Sequence, residues 1–390
     1  MKDLRTDFPI KDTYAYFMTS AAGPMPKPAY ETFVEFGSLL HLTGSVKFPQ
    51  WIEYMEKSRI SASRLLGAPK ENIAFVKNTG IGLWIASRLV DWKHGDEIIL
   101  PAGEFPSNIY PWLSLEEQGV SIKWIEPNIK DHPIPRVDRE SILPLLTERT
   151  KLLSVSFVQF DDGARRNIKE LSDLAKEFGL VFVVDAIQGL GALPFDLKEF
   201  EADFVCAGSQ KWLLSSPGAG LLYIHPKWLE VEKVPNFGWL SVDDPFNTAP
   251  GSFAESHKRL LPTAKRFEEG TPNFAGIATL GASIDYLLDY GIENISLRIK
   301  ALTDLLVERL ESLDCRVVSP REEDDWSGIV SFCHPSLDSL AVDREFNSAN
   351  IITSVRNDWV RVAVDFFNDE EELERLVASL KSQLDRVVVA

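Results

Sequence analysis

The chain has 390 residues, 45% hydrophobic and 25% charged, a balance that suits a soluble globular protein with a large core and two domains. Its formal net charge of -17 argues against electrostatic capture of nucleic acid or an anionic membrane surface, so a small-molecule partner is expected, with no nucleic acid and no membrane. There is no long apolar run and no basic-plus-apolar leader, and Cys206, Cys315 and Cys333 show no CxxC spacing, so we expect a cytoplasmic protein without a disulfide framework or zinc site.

From about residue 70 to 225, short apolar runs alternate with helical stretches, and Ile73–Val76, Glu97–Leu100, Leu152–Ser156, Leu180–Val184, Phe204–Cys206 and Gly220–Ile224 are predicted as strands. Several are apolar on both faces, which predicts central strands covered by helices on each side and hence a mostly parallel α/β sheet. Ligands in such sheets collect at the strand carboxyl ends. Lys227 to Pro262 is rich in Pro, Gly and Trp and lacks periodicity, as a long interdomain connection would. Helices are then predicted over Ala275–Tyr290 and Ile295–Leu313, strands near Arg316–Val318 and Ile329–Cys333, and a last helix over Asp369–Val387. The expected division is a large domain over 15–255 and a smaller α+β domain made of 256–390 with the arm 1–14.

The segment Asn78-Thr79-Gly80-Ile81-Gly82 follows a strand and opens a helix. It is either a plain N-cap with a flexible glycine or a phosphate cradle built from helix-start N–H groups and the Thr79 hydroxyl. In the loop after the next strand, Phe105 suits either core packing or a flat stack on a ligand ring, and Asn108 either a turn or a ligand contact. Asp185 ends an apolar strand, with Gln188 three residues on; a carboxylate buried there calls for a cationic partner. Lys211, flanked by Gln210 and Trp212, reads as a buried amine of depressed pKa, and Ser209 and Gln210 offer further phosphate contacts. A carboxylate and a lysine at the ends of successive strands suit pyridoxal phosphate. The lysine holds the aldehyde as an imine, and the carboxylate keeps the pyridine nitrogen protonated. Arg361, inside the apolar run Trp359–Val364, faces either a structural carboxylate or the α-carboxylate of an amino-acid substrate. The six histidines share no motif, so no metal site and no Ser/His/Asp triad is expected.

Taken together, these residues resemble the class V aminotransferase family of fold-type I pyridoxal phosphate enzymes, which includes cysteine desulfurases, selenocysteine lyases, kynureninases and isopenicillin-epimerase-like proteins. The resemblance runs from Tyr16–Pro24 through Val158–Arg165, Gly238-Trp239 and Phe267–Pro272 to Val360-Arg361 and Phe366–Glu370. It implies a fold-type I transferase architecture, with Lys211 as the Schiff-base lysine, Asp185 under the pyridine nitrogen, Gln188 on the ring hydroxyl and Phe105 stacked on the ring. Thr79 with Gln210 forms the phosphate cradle, while Gly80 and Gly208 stand where many relatives have Thr or Ser; Gly80, Ser209 and Asn108 complete the expected cofactor-binding set. Ala22 and Arg361 match substrate-binding positions. Thr271 matches a residue that reaches the phosphate across a dimer interface, which implies a homodimer. Residues 347–356 offer no counterpart of the desulfurase loop cysteine, so persulfide chemistry is not expected, and Phe105 replaces the histidine that desulfurases stack on the ring. The expected activity is aminotransfer. A C–S or kynureninase-like lyase and an epimerase are the alternatives, and a non-catalytic cofactor-binding regulator is a remote one.

Overall fold

This structure, a computed structural model, describes residues 4–127, 134–245, 259–322 and 324–389. The chain begins with β1 (Ala15–Tyr16) and two helices, α1 (Lys27–Thr43) and α2 (Phe48–Leu66). A large sheet follows, built from β2 (Ile73–Val76), β3 (Glu97–Pro101), β4 (Ser121–Ile125), β5 (Thr150–Ser156), β6 (Val181–Asp185), β7 (Phe204–Gly208) and β8 (Gly220–Ile224). Between these strands lie α3 (Thr79–Leu89), the short α4 (Tyr110–Leu113) and α5 (Arg139–Ile142), and α6 (Ile168–Glu177). The strand order is β2-β8-β7-β6-β5-β3-β4, and β8 runs opposite to the other six strands.

The continuous apolarity of these strands has the expected consequence. Val205 and Ala207 of β7 enter one core layer, while Phe204 and Cys206 enter the layer on the other face, as the two-residue period of a strand dictates. Most of the sheet is therefore buried on both sides, and its loops gather at the strand ends. α7 (Phe274–Tyr290) starts where the Asn273 side chain accepts the Gly276 N–H. It packs on α1 and α2 and places Ile277, Leu280, Ile284 and Leu287 in the core beneath the large sheet. An ion pair buried at this junction joins Arg59 of α2 to Glu268, and the same carboxylate accepts the Phe75 N–H of β2.

The C-terminal part adds α8 (Ile292–Glu311), β9 (Arg316–Val317), β10 (Ile329–Cys333), α9 (Ser339–Ser348), β11 (Ile351–Ile352), β12 (Ser354–Arg356), β13 (Trp359–Ala363) and α10 (Glu370–Val389). Four of its strands form an antiparallel sheet ordered β12-β13-β10-β9, with its own core of Phe332, Val360, Val362, Leu306 and Leu376. The packing does not follow the division expected at residue 255. α7 belongs to the large core, whereas β1 pairs with β11 and Phe17 lies in the C-terminal core. The reason is that α7 directs its apolar face toward the large sheet, while extended backbone at 15–17 completes a sheet edge. Within the expected connection, residues 246–258 lie outside the described residues, and a bridge between Val242 and Leu260 closes the flanking loop. Among the described residues, no helix is long and apolar enough to cross a membrane.

Candidate active site

At the carboxyl end of β2, Asn78 caps α3 by accepting the Ile81 N–H at 3.0 Å, so the plain N-cap reading holds for that residue. Thr79 is buried next to it, and its hydroxyl oxygen accepts the Gly208 N–H at 2.9 Å, which leaves the hydroxyl hydrogen to donate. Glycine at 208 keeps this corner open, since a Cβ there would lie 2.7 Å from Gln210 Oε1 and displace that side chain. The space kept open borders a cavity of about 300 Å³ lined by Thr79, Gly80, Phe105, Asp185, Gln188, Gln210, Lys211 and Arg361. Residues from the ends of β2, β3, β6 and β7 thus meet Arg361 of β13. A larger cavity, of about 660 Å³, lies apart from these residues and carries none of this constellation.

Burial pushes the Asp185 carboxyl up to about 7; the Ile187 N–H opposes this, Glu104 adds to it and Lys211 counters it. Burial pulls the Lys211 amine down to about 8 against the attraction of Asp185, with Arg361 and Arg356 adding to the fall. The Lys211 Nζ lies 5.3 Å from the centre of the Phe105 ring, which meets Phe160 edge-on. Gln188 donates from Nε2 to the Ser20 carbonyl at 3.1 Å and accepts from Trp212 Nε1 at 2.9 Å, so one amide N–H is uncommitted.

Arg361 is 1% exposed. Its Nε donates to Ser354 Oγ at 3.1 Å and its Nη1 to the Phe160 carbonyl at 2.5 Å, whereas Nη2 is buried without a partner. Burial brings the guanidinium down to about 9, and Arg356 adds to the fall. Among the described residues no carboxylate forms an ion pair with it, so the structural salt bridge is not what holds it.

Four expected residues stand elsewhere. Asn108 is fully buried, donates to Glu104 Oε2 at 3.1 Å and accepts from Trp112 Nε1 at 3.2 Å and Ser154 Oγ at 2.6 Å. It braces the loop under the cavity rather than lining it. The Ser209 hydroxyl turns to the carbonyls of Ser216 and Ala219 and closes a turn. Ala22 is exposed, its carbonyl accepting the Tyr16 hydroxyl, because the chain has already turned away after Ser20 and Ala21, which line the cavity instead. Thr271 is exposed and lines a separate pocket of about 410 Å³ with Lys77, Gly218 and Glu269.

Sequence reasoning missed Arg356, Ser107 and Glu104. Arg356 lines the cavity beside Arg361. A signal for it exists, since Asn357-Asp358 both have positive φ, 48° and 62°, and make the tight turn between β12 and β13. Glu104 is buried, accepts the Ser156 N–H at 3.0 Å and bonds to the Ser156 hydroxyl. Alone in a loop it carried no such signal.

A family model described as Aminotransferase class-V matches residues 16–376. The chain is 28% identical to a probable cysteine desulfurase of Pyrococcus abyssi over 98% of both chains. It is 25% identical to an uncharacterized aminotransferase of Schizosaccharomyces pombe over 85% of this chain and 83% of that one. The solved cysteine desulfurase of Thermococcus onnurineus NA1 superposes with a TM-score of 0.87 at 26% identity, covering 98% of both chains. A C-DES variant with glycine covalently linked to the PLP cofactor shares the fold, with a TM-score of 0.88 at 23% identity over 96% of this chain and 98% of that one.

Proposed function

Because this chain belongs to the aminotransferase class-V family of pyridoxal-phosphate-dependent enzymes, we propose that it removes the amino group of an amino acid by transamination, with Lys211 as the residue that moves the proton. The observation that carries the reading is that Lys211 and Asp185 line one cavity whose other charged side chains are the guanidiniums of Arg356 and Arg361. The residues present fit the cofactor. Thr79 has a free hydroxyl hydrogen and glycine at 208 leaves room beside it, while Asp185 is buried without an ion-pair partner among the described residues. Bound there, pyridoxal phosphate supplies an aldehyde for the substrate amine and a ring that accepts electrons.

The protein's own part follows from placement. Asp185 holds positive charge at the ring nitrogen, since its burial makes a cation the stabilising neighbour. Phe105 gives the ring a flat apolar face, and Arg361 offers its unpartnered Nη2 to the α-carboxylate. Lys211, with an amine pulled down to about 8, is part-neutral near pH 7 and is suited to take the Cα proton and, with the cofactor bound, would deliver it to C4′ on the same face. A second acid or base on the opposite face, which epimerisation needs, is not supplied by the lining residues named above.

A C–S lyase is the second reading, favoured by the relatives named as cysteine desulfurases. A persulfide route has less support, because Cys206 lies within β7 and Cys315 and Cys333 lie in the C-terminal sheet region. The proposal includes a homodimer in which Thr271 reaches the partner's phosphate site. It is supported by the exposed apolar side chains Tyr30, Phe33, Val34, Leu40 and Leu42 on α1 and Val46 beyond it. A cytoplasmic location is part of the same reading, consistent with cysteines that are all unpaired.

The test is a panel of amino acids mixed with the cofactor-loaded protein. One oxo acid per active site, with continued turnover and a new amino acid only when a second oxo acid is added as acceptor, and no ammonia at any stage, supports transamination. Continuous release of ammonia and pyruvate, with sulfide from cysteine, replaces it by the lyase.

A further inference from the structure

The loop after β5 doubles back as a hairpin, closed by a bridge between Val158 and Arg165 and by the Gln159 N–H bonding to the Ala164 carbonyl at 2.9 Å. Gly163 at its tip has φ of 76°, and a Cβ there would lie 2.6 Å from the Ile329 carbonyl, so the tip sits hard against β10. One part of the hairpin serves the active site through the Phe160 carbonyl on Arg361. Another part, with Ala164, Arg165 and Arg166, lines the separate cavity of about 660 Å³.

Arg166 is the notable residue of that cavity. It is 6% exposed, its backbone N–H is bonded to the Phe157 carbonyl at 2.9 Å, and both Nε and Nη2 are buried without a hydrogen-bond partner. These two N–H groups lie on one edge of the guanidinium and form the side-on fork that takes two oxygens of one oxyanion. Nη1 of Arg321, a second lining residue, is also buried without a partner. Phe157, Phe195 and Phe200 give one part of the wall an aromatic surface within a lining that is otherwise largely charged. Glu322 and Asp324, both exposed, and the half-buried Asp325 also line the cavity and disfavour a multiply charged anion. Asp138 is committed to capping the Ser141 N–H and to Arg136, Glu170 to the Arg139 N–H, and the buried Asp162 accepts the Ala164 N–H at 2.9 Å. The cavity has the size of sites that enclose a small metabolite.

We propose that this cavity is a second binding site, distinct from the Lys211 cavity, for a small organic monocarboxylate whose carboxylate sits on the Arg166 fork and whose apolar body lies against the phenylalanines. The site goes beyond the proposed reaction and stands or falls independently of it, because binding is read without turnover.

Benzoate is a suitable probe, and Arg361→Gln removes its competing attraction to the active-site cavity. Calorimetric titration of the cofactor-loaded Arg361→Gln protein is expected to show saturable binding of one benzoate per chain. Adding Arg166→Gln, or Arg166→Lys, which keeps the charge and loses the fork, is expected to weaken that binding by about tenfold or more. Inorganic phosphate is expected to compete poorly. Absence of saturable benzoate binding in Arg361→Gln, equal affinity in the Arg166→Lys protein with an unchanged melting temperature, or phosphate competing as well as benzoate would each overturn the proposal.

Discussion

Replacing Arg361 by Gln tests the substrate end of the active site. In the folded protein Nε and Nη1 are committed to Ser354 and the Phe160 carbonyl, so the part left for a substrate is the Nη2 edge together with the positive charge. A hydrogen bond to a charged group contributes about 1.5–3 kcal/mol, and loss of the nearby charge adds to this, so the expected deficit is about 2–4 kcal/mol, or roughly 30- to 1,000-fold in kcat/KM. The α-carboxylate contact exists before and during the chemical step, so most of the loss should appear in KM. Orphaning the Phe160 carbonyl costs about 1–3 kcal/mol of stability, below the stability of an ordinary domain, so the variant should fold. Arg361→Lys keeps a charge without the fork and should fall between the two. The assay is steady-state kinetics on the amino acid that scores best in the panel, with cofactor absorbance as a control. A kcat/KM within about threefold of the parent, at full cofactor occupancy, would refute the role of Arg361.

Lys211→Ala should leave the protein unlabelled after borohydride treatment with cofactor and should lower turnover by about 10³-fold or more; label retained on the protein would move the attachment elsewhere. The rate at which cofactor-free protein takes up pyridoxal phosphate should rise about tenfold per pH unit up to about 8 and flatten above it, because the neutral amine reacts and burial has pulled Lys211 down to about 8. A rise continuing toward 10.5, the ordinary lysine value, would contradict the burial argument. The same shift sets a sign for stability: between about 8 and 10.5 the unfolded chain holds a proton that the folded chain has lost, so this group's contribution to stability increases with pH across that window in cofactor-free protein. Glu268→Ala should cost about 3–5 kcal/mol in urea unfolding, since it leaves the fully buried Arg59 with only the longer contact to Glu56 at 3.4 Å and the Phe75 N–H without an acceptor; a loss under about 1 kcal/mol would show that water reaches the pair.

The central strands were legible because burial on both faces writes itself as unbroken apolar runs, and β2, β8 and β10 begin and end where the runs do. β4 was not legible: its burial pattern runs from exposed Ser121 through half-buried residues to buried Ile125, which is what the edge of a sheet looks like. Nor was the affiliation of α7, whose apolar residues are the same whichever core receives them. Within the active site, Asp185 and Lys211 stood out as ionisable residues embedded in apolar surroundings. Asn108 and Ser209 misled because a polar residue next to a ligand site and one that braces its loop share the same composition. Only the partners distinguish them, and those come from Glu104, Trp112 and Ala219, which are near in space.

The same accounting separates the buried guanidiniums. Arg59 meets Glu268 through Nη1 and Nη2 and the Ile73 carbonyl through Nη1, and Arg266 donates from Nε, Nη1 and Nη2 to the carbonyls of Leu261, Val231 and Leu229. Each is satisfied within the fold, so each is a structural group whose removal should register in stability. Arg361 and Arg166 are buried as deeply but keep nitrogens with no acceptor. A buried charge with unmet donors is destabilising by several kcal/mol, so a fold that keeps it gains from something that arrives from outside. In the Arg361 cavity the neighbouring Lys211 and Asp185 identify that partner as an amino acid's carboxylate. At Arg166 the phenylalanines on one part of the wall and the acidic residues around the cavity narrow it to a small monoanion with an apolar body. Arg166→Gln should therefore leave the protein no less stable in the absence of ligand, the opposite of what Glu268→Ala does to Arg59, and urea unfolding of the two variants side by side distinguishes a ligand-binding arginine from a structural one.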